Sequence, residues 1–440
     1  MTPHNKDWTS NAIPLSLHGD GVPVIQVGKA GAKTFDAYSI QSIWSQGSTL
    51  DVKILMFGVF SLCASDSTWE EVWRVTTWSL HWLSEGIWPP VDWHGKAWTA
   101  DNPSERALAK QPLADGLFAI VYALKGDLDY FARSLHLRHY NADQMCDLCP
   151  ASRCVSDRTL LYNNFDRDAR WMALQYTVEE WRELYKDTSL HWLFNLNGVT
   201  NLSLEPDELH IWHLGVGQYT LGSVLHLLTY TLLPGTPSQN MARVWEVINK
   251  HYVDNATPCQ FTNLGLSSFV DTNKPRHMFP RLKGKAAEIK DVTPAILDAW
   301  LALAPRGYTD RKLVETLLVT LVEAQDLLHE SSKELMLPLD EAAKFQNLID
   351  KFLATYQRVS FAAEEKGDFL WNNPTKFHHF WHLARKAKFL HPRRTNTYVD
   401  EDFVGKIKTL VFSCSAGSEM HQVTLKMAEK YRWGMHFLMQ

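Results

Sequence analysis

Between residues 13 and 128 the apolar residues change periodicity in an order that few folds can use. Residues 13–17 form a short apolar run ending in His18-Gly19-Asp20-Gly21. Residues 22–27 follow, β-branched and bounded by glycines, so the two runs read as a hairpin. Residues 52–60 (VKILMFGVF) are continuously apolar, as in a strand covered on both faces. Residues 69–86 instead repeat at helical spacing through Val72, Trp73, Val75, Trp78, Leu80 and Leu83, with Gly86 and Pro89-Pro90 as the stop. Residues 117–124 return to a buried-strand pattern and end in Gly126-Asp127. Three strands, a helix and a fourth strand allow a parallel pairing, because the helix supplies the crossover that such a pair needs. The expected fold class is α/β with a mixed sheet.

Beyond residue 155 the character changes. Helical patterns dominate residues 168–370, at 171–185, 211–233, 241–252, 294–304, 311–329 and 339–359, with no fixed-period repeat. Residues 376–436 hold a His-rich basic segment and two helical patterns, near 400–412 and 420–438. The expected organisation is a sheet core over 1–165, a helical insertion over 166–372, and a return to the core over 373–440. The 440 residues suffice for this, and 18 Trp, 14 Tyr and 20 Phe supply a large core without disulfides. The six cysteines do not read as a disulfide framework in a chain of this length. Residues 209–241 contain no Asp, Glu, Lys or Arg. His210, His213, His226, Gly215, Gly217, Gly222 and Pro234 are among the residues that interrupt them, which favours a buried helix over a membrane span. Residues 1–11 are polar and lack a signal-peptide core, so a soluble intracellular protein with no membrane partner is expected.

Net charge is −5 and the sequence pI is about 6.4, which excludes a globally basic nucleic-acid binder. Locally the balance differs. Residues 272–287 hold Lys274, Arg276, Arg281, Lys283 and Lys285 without an acid. Residues 372–399 hold Lys376, Arg385, Lys386, Lys388, Arg393 and Arg394, interleaved with Phe377, Phe380, Trp381 and Phe389, again without an acid. Both runs suit a phosphate backbone, and both also read as ordinary solvated faces.

Asp20 and Asp127 each follow an apolar strand. Two carboxylates at neighbouring strand ends are hard oxygen ligands in rigid positions, as a two-metal site requires. Gly19, Gly21 and Gly126 would let a substrate backbone approach. The competing reading is that Asp and Gly are simply turn residues. Cys146-Asp-Leu-Cys149 has the spacing of a zinc half-site, although a redox pair or two buried thiols share it. His378 and His382, one helical turn apart, can supply the other half, with Cys154 as a substitute fourth ligand. Such a Cys2His2 site would tie the end of the helical region back to the sheet. Core packing or phosphate contact is the alternative role for these histidines. Asp207 reads as a helix N-cap before a weaker metal role with His210 and His213. Residues 28–34 look like a P-loop, but Val27 and Ala32 stand where that pattern needs glycines. Zinc-protease, serine-hydrolase and dinucleotide motifs are absent from the sequence.

In this order, HGDGVPV (18–24), GDLDYF (126–131), CDLCP (146–150), DELHIWHLGVG (207–217), KFHHFWHLARKAKFLHP (376–392) and YVDEDFVGK (398–406) resemble cut-and-paste DDE-type DNA transposases. The closest groups are the CACTA-type, Plavaka-like and Kyakuja/Dileera/Zisupton-like enzymes, which have a ribonuclease-H-like fold interrupted by a helical domain. The resemblance implies Asp20 as first catalytic acid, Asp127 as second with Asp129 as competitor, and Glu401 as third, crowded by Asp400 and Asp402. It implies Mg²⁺ or Mn²⁺ on the three acids, structural Zn²⁺, DNA as partner through the basic segment of 376–394, and a nuclear location. The chemistry implied is strand cleavage by water, then attack of the freed 3′-hydroxyl on target DNA. A homo-oligomer is compatible with it. The first strand begins near residue 13, which leaves no room for an N-terminal DNA-binding domain. A truncated or decayed copy, or a non-catalytic nucleic-acid- or protein-binding module, is therefore the alternative expectation.

Overall fold

The computed structural model describes residues 8–27 and 32–438. The chain divides into two compact units. The first comprises Met1–His139, Tyr176–Glu205 and Thr397–Gln440, and the second Tyr140–Gln175 and Pro206–Asn396.

The first unit is built on a five-stranded mixed sheet. Its strands are β1 (Ala12–Val27), β2 (Ala32–Ser42), β3 (Ile54–Phe60), β4 (Phe118–Lys125) and β5 (Leu204–Glu205), in spatial order β3-β2-β1-β4-β5. The β1–β2 and β2–β3 pairs are antiparallel, and the β1–β4 and β4–β5 pairs are parallel. The crossover is helix α1 (Asp66–Glu85), opened by Ser65, whose side chain accepts from Thr68 N–H, and closed by Gly86 at φ +70°. Helix α2 (Leu128–Arg133) follows β4 directly. The α/β class and the mixed sheet are as the sequence predicts.

Two local expectations fail. His18-Gly19-Asp20-Gly21 is no hairpin turn, because β1 runs straight through it, with Gly19 opposite Tyr38 and Asp20 opposite Ala37. The strand instead pairs with β2 out to Val27 and Ala32, and residues 28–31 of the P-loop-like stretch lie outside the described residues. Strand β2 itself escapes the sequence reading because it carries no continuous apolar run. Its Phe35 and Ala37 pack on one face and its Tyr38 and Ile40 on the other, separated by polar residues.

The glycines have a packing role. A Cβ on Gly19 would lie 2.4 Å from the Tyr130 ring and 2.6 Å from that of Tyr38, and one on Gly126 would lie 2.4 Å from Tyr130. The room expected for a substrate backbone is filled by Tyr130 of α2. On that side of the sheet Leu17, Tyr38 and Leu124 pack with Trp73, Leu80, Tyr130 and Phe131.

The second unit is helical. Its central segment is α3 (Gln218–His226), entered and left by wide π-type turns at Glu208–Gly217 and Leu227–Leu232. Around it pack α4 (Pro237–Asp254), α5 (Ala286–Leu303), α6 (Arg311–Glu330), α7 (Leu339–Glu365) and α8 (Thr375–Lys386). The charge-free stretch is therefore core: Ile211, Trp212, Val216, Leu221, Val224 and Leu228 are all buried. Among the described residues no helix is long and apolar enough to cross a membrane. Helix α5 begins two turns before the predicted start, because Pro294 lies inside it. The predicted helix at 171–185 is broken into a single 3₁₀ turn at Arg170–Met172 and a short helix at Val178–Glu183. The chain passes from one unit to the other between these pieces.

The chain then returns to the first unit with α9 (Tyr398–Ser415) and α10 (Met420–Leu438). Phe403, Ile407 and Val411 of α9 and Val423 and Met427 of α10 cover Val22, Val24, Phe35, Ala37 and Phe60 on the second face of the sheet. The unit boundaries thus differ from the expected 165/166 and 372/373. The Cys-x-x-Cys segment and α8 both belong to the helical unit, because their side chains share its core.

The glycine contacts make a prediction. Gly19→Ala loses about 1–3 kcal/mol of stability in urea denaturation, from overpacking against two rings. Tyr130→Phe costs nothing or stabilises, since its buried hydroxyl has no hydrogen-bond partner among the described residues.

Candidate metal centre

Cys146 and Cys149 lie in an irregular loop that is pinned by Ser152, whose N–H donates to Leu160 O at 2.9 Å and whose O accepts from Tyr162 N–H at 2.9 Å. Leu148 N–H points at Cys146 Sγ at 3.4 Å, so the loop curls around that sulfur. Helix α8 places His378 and His382 on one face, a turn apart. The two pairs meet in the interior. Cys146 Sγ lies 3.4 Å from His382 Nε2, Cys149 Sγ lies 3.4 Å from His378 Nε2, and the two Nε2 atoms are 3.1 Å apart. All four residues are buried, and their ligand atoms lie within 4.8 Å of one another.

Zinc bonds of about 2.3 Å to sulfur and 2.0–2.1 Å to nitrogen, at tetrahedral angles, set ligand–ligand edges of roughly 3.3–3.8 Å. The two sulfur–nitrogen edges, at 3.4 Å, fall within that range, and the nitrogen–nitrogen edge, at 3.1 Å, is slightly shorter. Both thiols are free and buried. Burial by itself raises the Cys146 thiol, but Cys149 and the two imidazoles bring it well below its ordinary pKa. Burial lowers the pKa of His382, which favours the neutral form that metals bind, and pushes the adjacent His379 down to about 3. Trp171 closes the site, with its ring 4.3 Å from that of His378. Four protein ligands with no open position make a structural centre, and the group can hold a metal such as zinc. Cys154 is not part of it. That residue is exposed, and the Ser152 hydroxyl receives its N–H. Since all four ligands belong to the helical unit, the centre staples that unit and does not tie it to the sheet.

The acids lie in the first unit. Asp20 is half-buried in β1, on the face that carries His18 and Val22. Asp127 caps α2, its Oδ1 accepting from Tyr130 N–H at 2.6 Å. The competing Asp129 pairs with Arg133 at 3.0 Å on the surface. Glu401 is half-buried in the first turn of α9, next to Asp400. Asp400 is more than a crowding neighbour. Its carboxylate is fully buried against Lys53, against Lys125 Nζ at 2.7 Å and against His18 Nδ1 at 3.6 Å. Burial would raise its pKa, yet Lys125, His18 and Lys53 hold it far below the usual carboxylate range. Burial also pulls Lys53 down to about 7, helped by Lys125. Sequence reasoning missed these groups. The available signal was a lone lysine at each end of a buried-strand pattern, Lys53 before β3 and Lys125 closing β4. Among the described residues the Cys2His2 group alone draws three or more ligand atoms within 4.8 Å. Asp20, Asp127 and Glu401 do not form a group of that kind.

No known family model matches this chain, and no curated protein does.

Asp207 keeps its capping role. It accepts from Leu209 N–H at 3.0 Å and His210 N–H at 2.9 Å, and its Oδ2 meets His210 Nδ1 at 2.5 Å. With His213 these residues form no metal group of the kind seen at Cys146. The two basic runs part company. In the 376–394 segment Lys376 donates to Leu214 O at 3.1 Å, and Arg385 pairs with Asp350 at 2.8 Å over the Trp381 ring. Arg394 donates to the carbonyls of Lys333 and Glu334, and Arg393 opposes the rise that burial gives the Glu208 pKa. Lys388 lies over Phe389, and Lys386 ends α8. Much of this charge therefore holds the fold. Lys274, Arg276, Arg281, Lys283 and Lys285 are all exposed.

Metal analysis of purified protein is expected to give one zinc per chain, and Cys149→Ser or His382→Ala to abolish it. With free zinc about 1,000-fold above Kd the centre contributes about 4 kcal/mol, so chelation lowers Tm visibly. An unchanged melting curve after complete metal removal would refute the structural role.

Proposed function

We propose that the chain is a DDE transposase-like nuclease on a ribonuclease-H-like core, with Asp20, Asp127 and Glu401 as the acids that hold Mg²⁺ or Mn²⁺. One observation carries this reading. The strands run in the order β3-β2-β1-β4-β5, with β1 and β4 parallel and His18 partnered by Lys125. Asp20 comes two residues after His18 within β1, and Asp127 comes two residues after Lys125, just past the end of β4 at the N-cap of α2. Asp400, one residue before Glu401, touches both His18 and Lys125. The three acids thus belong to segments that meet at one place.

The donor set fits the ions. Three half-buried carboxylates are hard oxygen ligands, and no thiol or imidazole competes with them in the set. When bound, such ions supply an activated water and charge stabilisation at the leaving oxygen. The chain's own part is to hold the carboxylates. Asp127 spends Oδ1 on the α2 N-terminus, which fixes its rotamer and leaves Oδ2 for a cation. β1 fixes the backbone of Asp20 through its ladder with β2, opposite Ala37. The substrate is DNA, which implies a nuclear location, and its phosphates dock on the exposed charges of residues 274–285. Zinc is the metal of the Cys2His2 centre, in a structural role.

Cleavage of duplex DNA with Mn²⁺ is expected to fall by about a thousandfold or more in Asp20→Asn, Asp127→Asn and Glu401→Gln, on the order of a missing electrostatic anchor in other active sites. If the folded protein binds DNA but all three variants leave cleavage unchanged or there is none to lose, the chain is a binding module instead. Replacing Lys274, Lys283 and Lys285 by Ala is expected to reduce the slope of log Kobs against log salt by about 0.9 for each phosphate that is no longer neutralised.

A further inference from the structure

Lys53, Lys125, His18 and Asp400 form a second charged cluster inside the sheet unit. Both lysines and the aspartate are at most 1% exposed, and His18 is 3% exposed. A dry site for two lysines and one carboxylate is a poor way to stabilise a protein. Desolvation offsets most of the attraction, and apolar side chains of similar size commonly do as well. The cluster's value lies in where its members sit. His18 is two residues before Asp20 on β1, so the two side chains share a face about 6.6 Å apart along the strand. Lys125 closes β4, and Asp127, the N-cap of α2, comes two residues later. Asp400 immediately precedes Glu401 in the first turn of α9. Lys53 leads into β3 and joins the same carboxylate.

We propose that Asp400, locked between Lys53, Lys125 and His18, is a positioning residue that sets the spacing of Asp20, Asp127 and Glu401. The inference rests on those three acids being the cation ligands. One carboxylate contacts the strand of the first acid and the strand of the second, and shares a helical turn with the third. A shift of α9 along the sheet must break a buried ion pair before it can move Glu401.

The test compares Mn²⁺ affinity, read by paramagnetic resonance or calorimetry, with Tm on the full chain. The variants are a triple replacement (Lys53→Met, Lys125→Met, Asp400→Leu) and Asp400→Glu, which keeps the charge and adds one methylene. Asp20→Asn serves as the reference for the site itself. Expected are a triple variant that melts near wild type yet binds Mn²⁺ about 10- to 100-fold more weakly, as when the groups that orient the ligands are removed at other metal sites. Asp400→Glu is expected to weaken Mn²⁺ binding likewise, and it keeps the test decisive should the triple variant fail to fold. Wild-type Mn²⁺ affinity in a folded variant of either kind overturns the positioning role while leaving the three acids standing. If wild type binds no Mn²⁺ that Asp20→Asn removes, the reading of the acids fails, and the positioning role falls with it.

Discussion

The parallel ladder between β1 and β4 is the constraint on which the sheet unit depends. It is the one pairing in the β-β-β-α-β order that the chain cannot make by turning back on itself, and α1 exists to permit it. Once it forms, β2 and β3 add on one side by short connections and β5 on the other. It also brings His18 level with Lys125, the two strand residues that lie against Asp400. Both sheet faces are then covered, by α1 and α2 on one side and α9 and α10 on the other. The buried polar cluster sits where α9 begins. Hydrophobic packing alone leaves a helix free to slide by a turn at little cost, whereas an ion pair in a dry interior does not.

The helical unit solves a different problem. Its Cys-x-x-Cys loop contains no helix or strand, and is held in part by a 3.4 Å contact between Leu148 N–H and a sulfur, a short pairing at Ser152 and a 2.7 Å bond from Arg153 N–H to Asp143 O. A metal-ligand set fixes such a loop without requiring it to bury a large face. The surrounding aromatic side chains, Trp171 and Trp381 among them, exclude water from the ligands.

What was legible in the sequence divides along physical lines. Long helices with strong periodicity, such as α4, α6 and α7, were readable nearly to their ends, and so were strands β3 and β4, although β3 is a partly exposed edge strand and not one covered on both faces. Strand β2 was not, since Phe35, Ala37, Tyr38 and Ile40 split between two faces and leave no run to detect. The HGDG stretch misled for a definable reason. Glycine marks both turns and close ring contacts, and only the position of Tyr130, more than a hundred residues away from Gly19 in the chain, distinguishes them. The Cys2His2 partners were legible because metal chemistry restricts both residue type and local spacing. The lysines around Asp400 were not, because a buried lysine looks like any other until its partner is placed.

The two halves of the metal centre lie far apart in the chain, 229 residues between Cys149 and His378. Between them the chain leaves the helical unit for residues 176–205 and comes back. During synthesis the thiol pair therefore emerges long before its imidazoles, and must wait as an unfinished half-site while a strand of the other unit is made. Closing so large a loop carries a heavy entropic cost in the unfolded chain, and a bond set that closes it recovers the most. Metal capture is thus a late event in the biogenesis of the helical unit. In a cell, the availability of the ion at that moment governs how much newly made chain matures and how much is left to quality control.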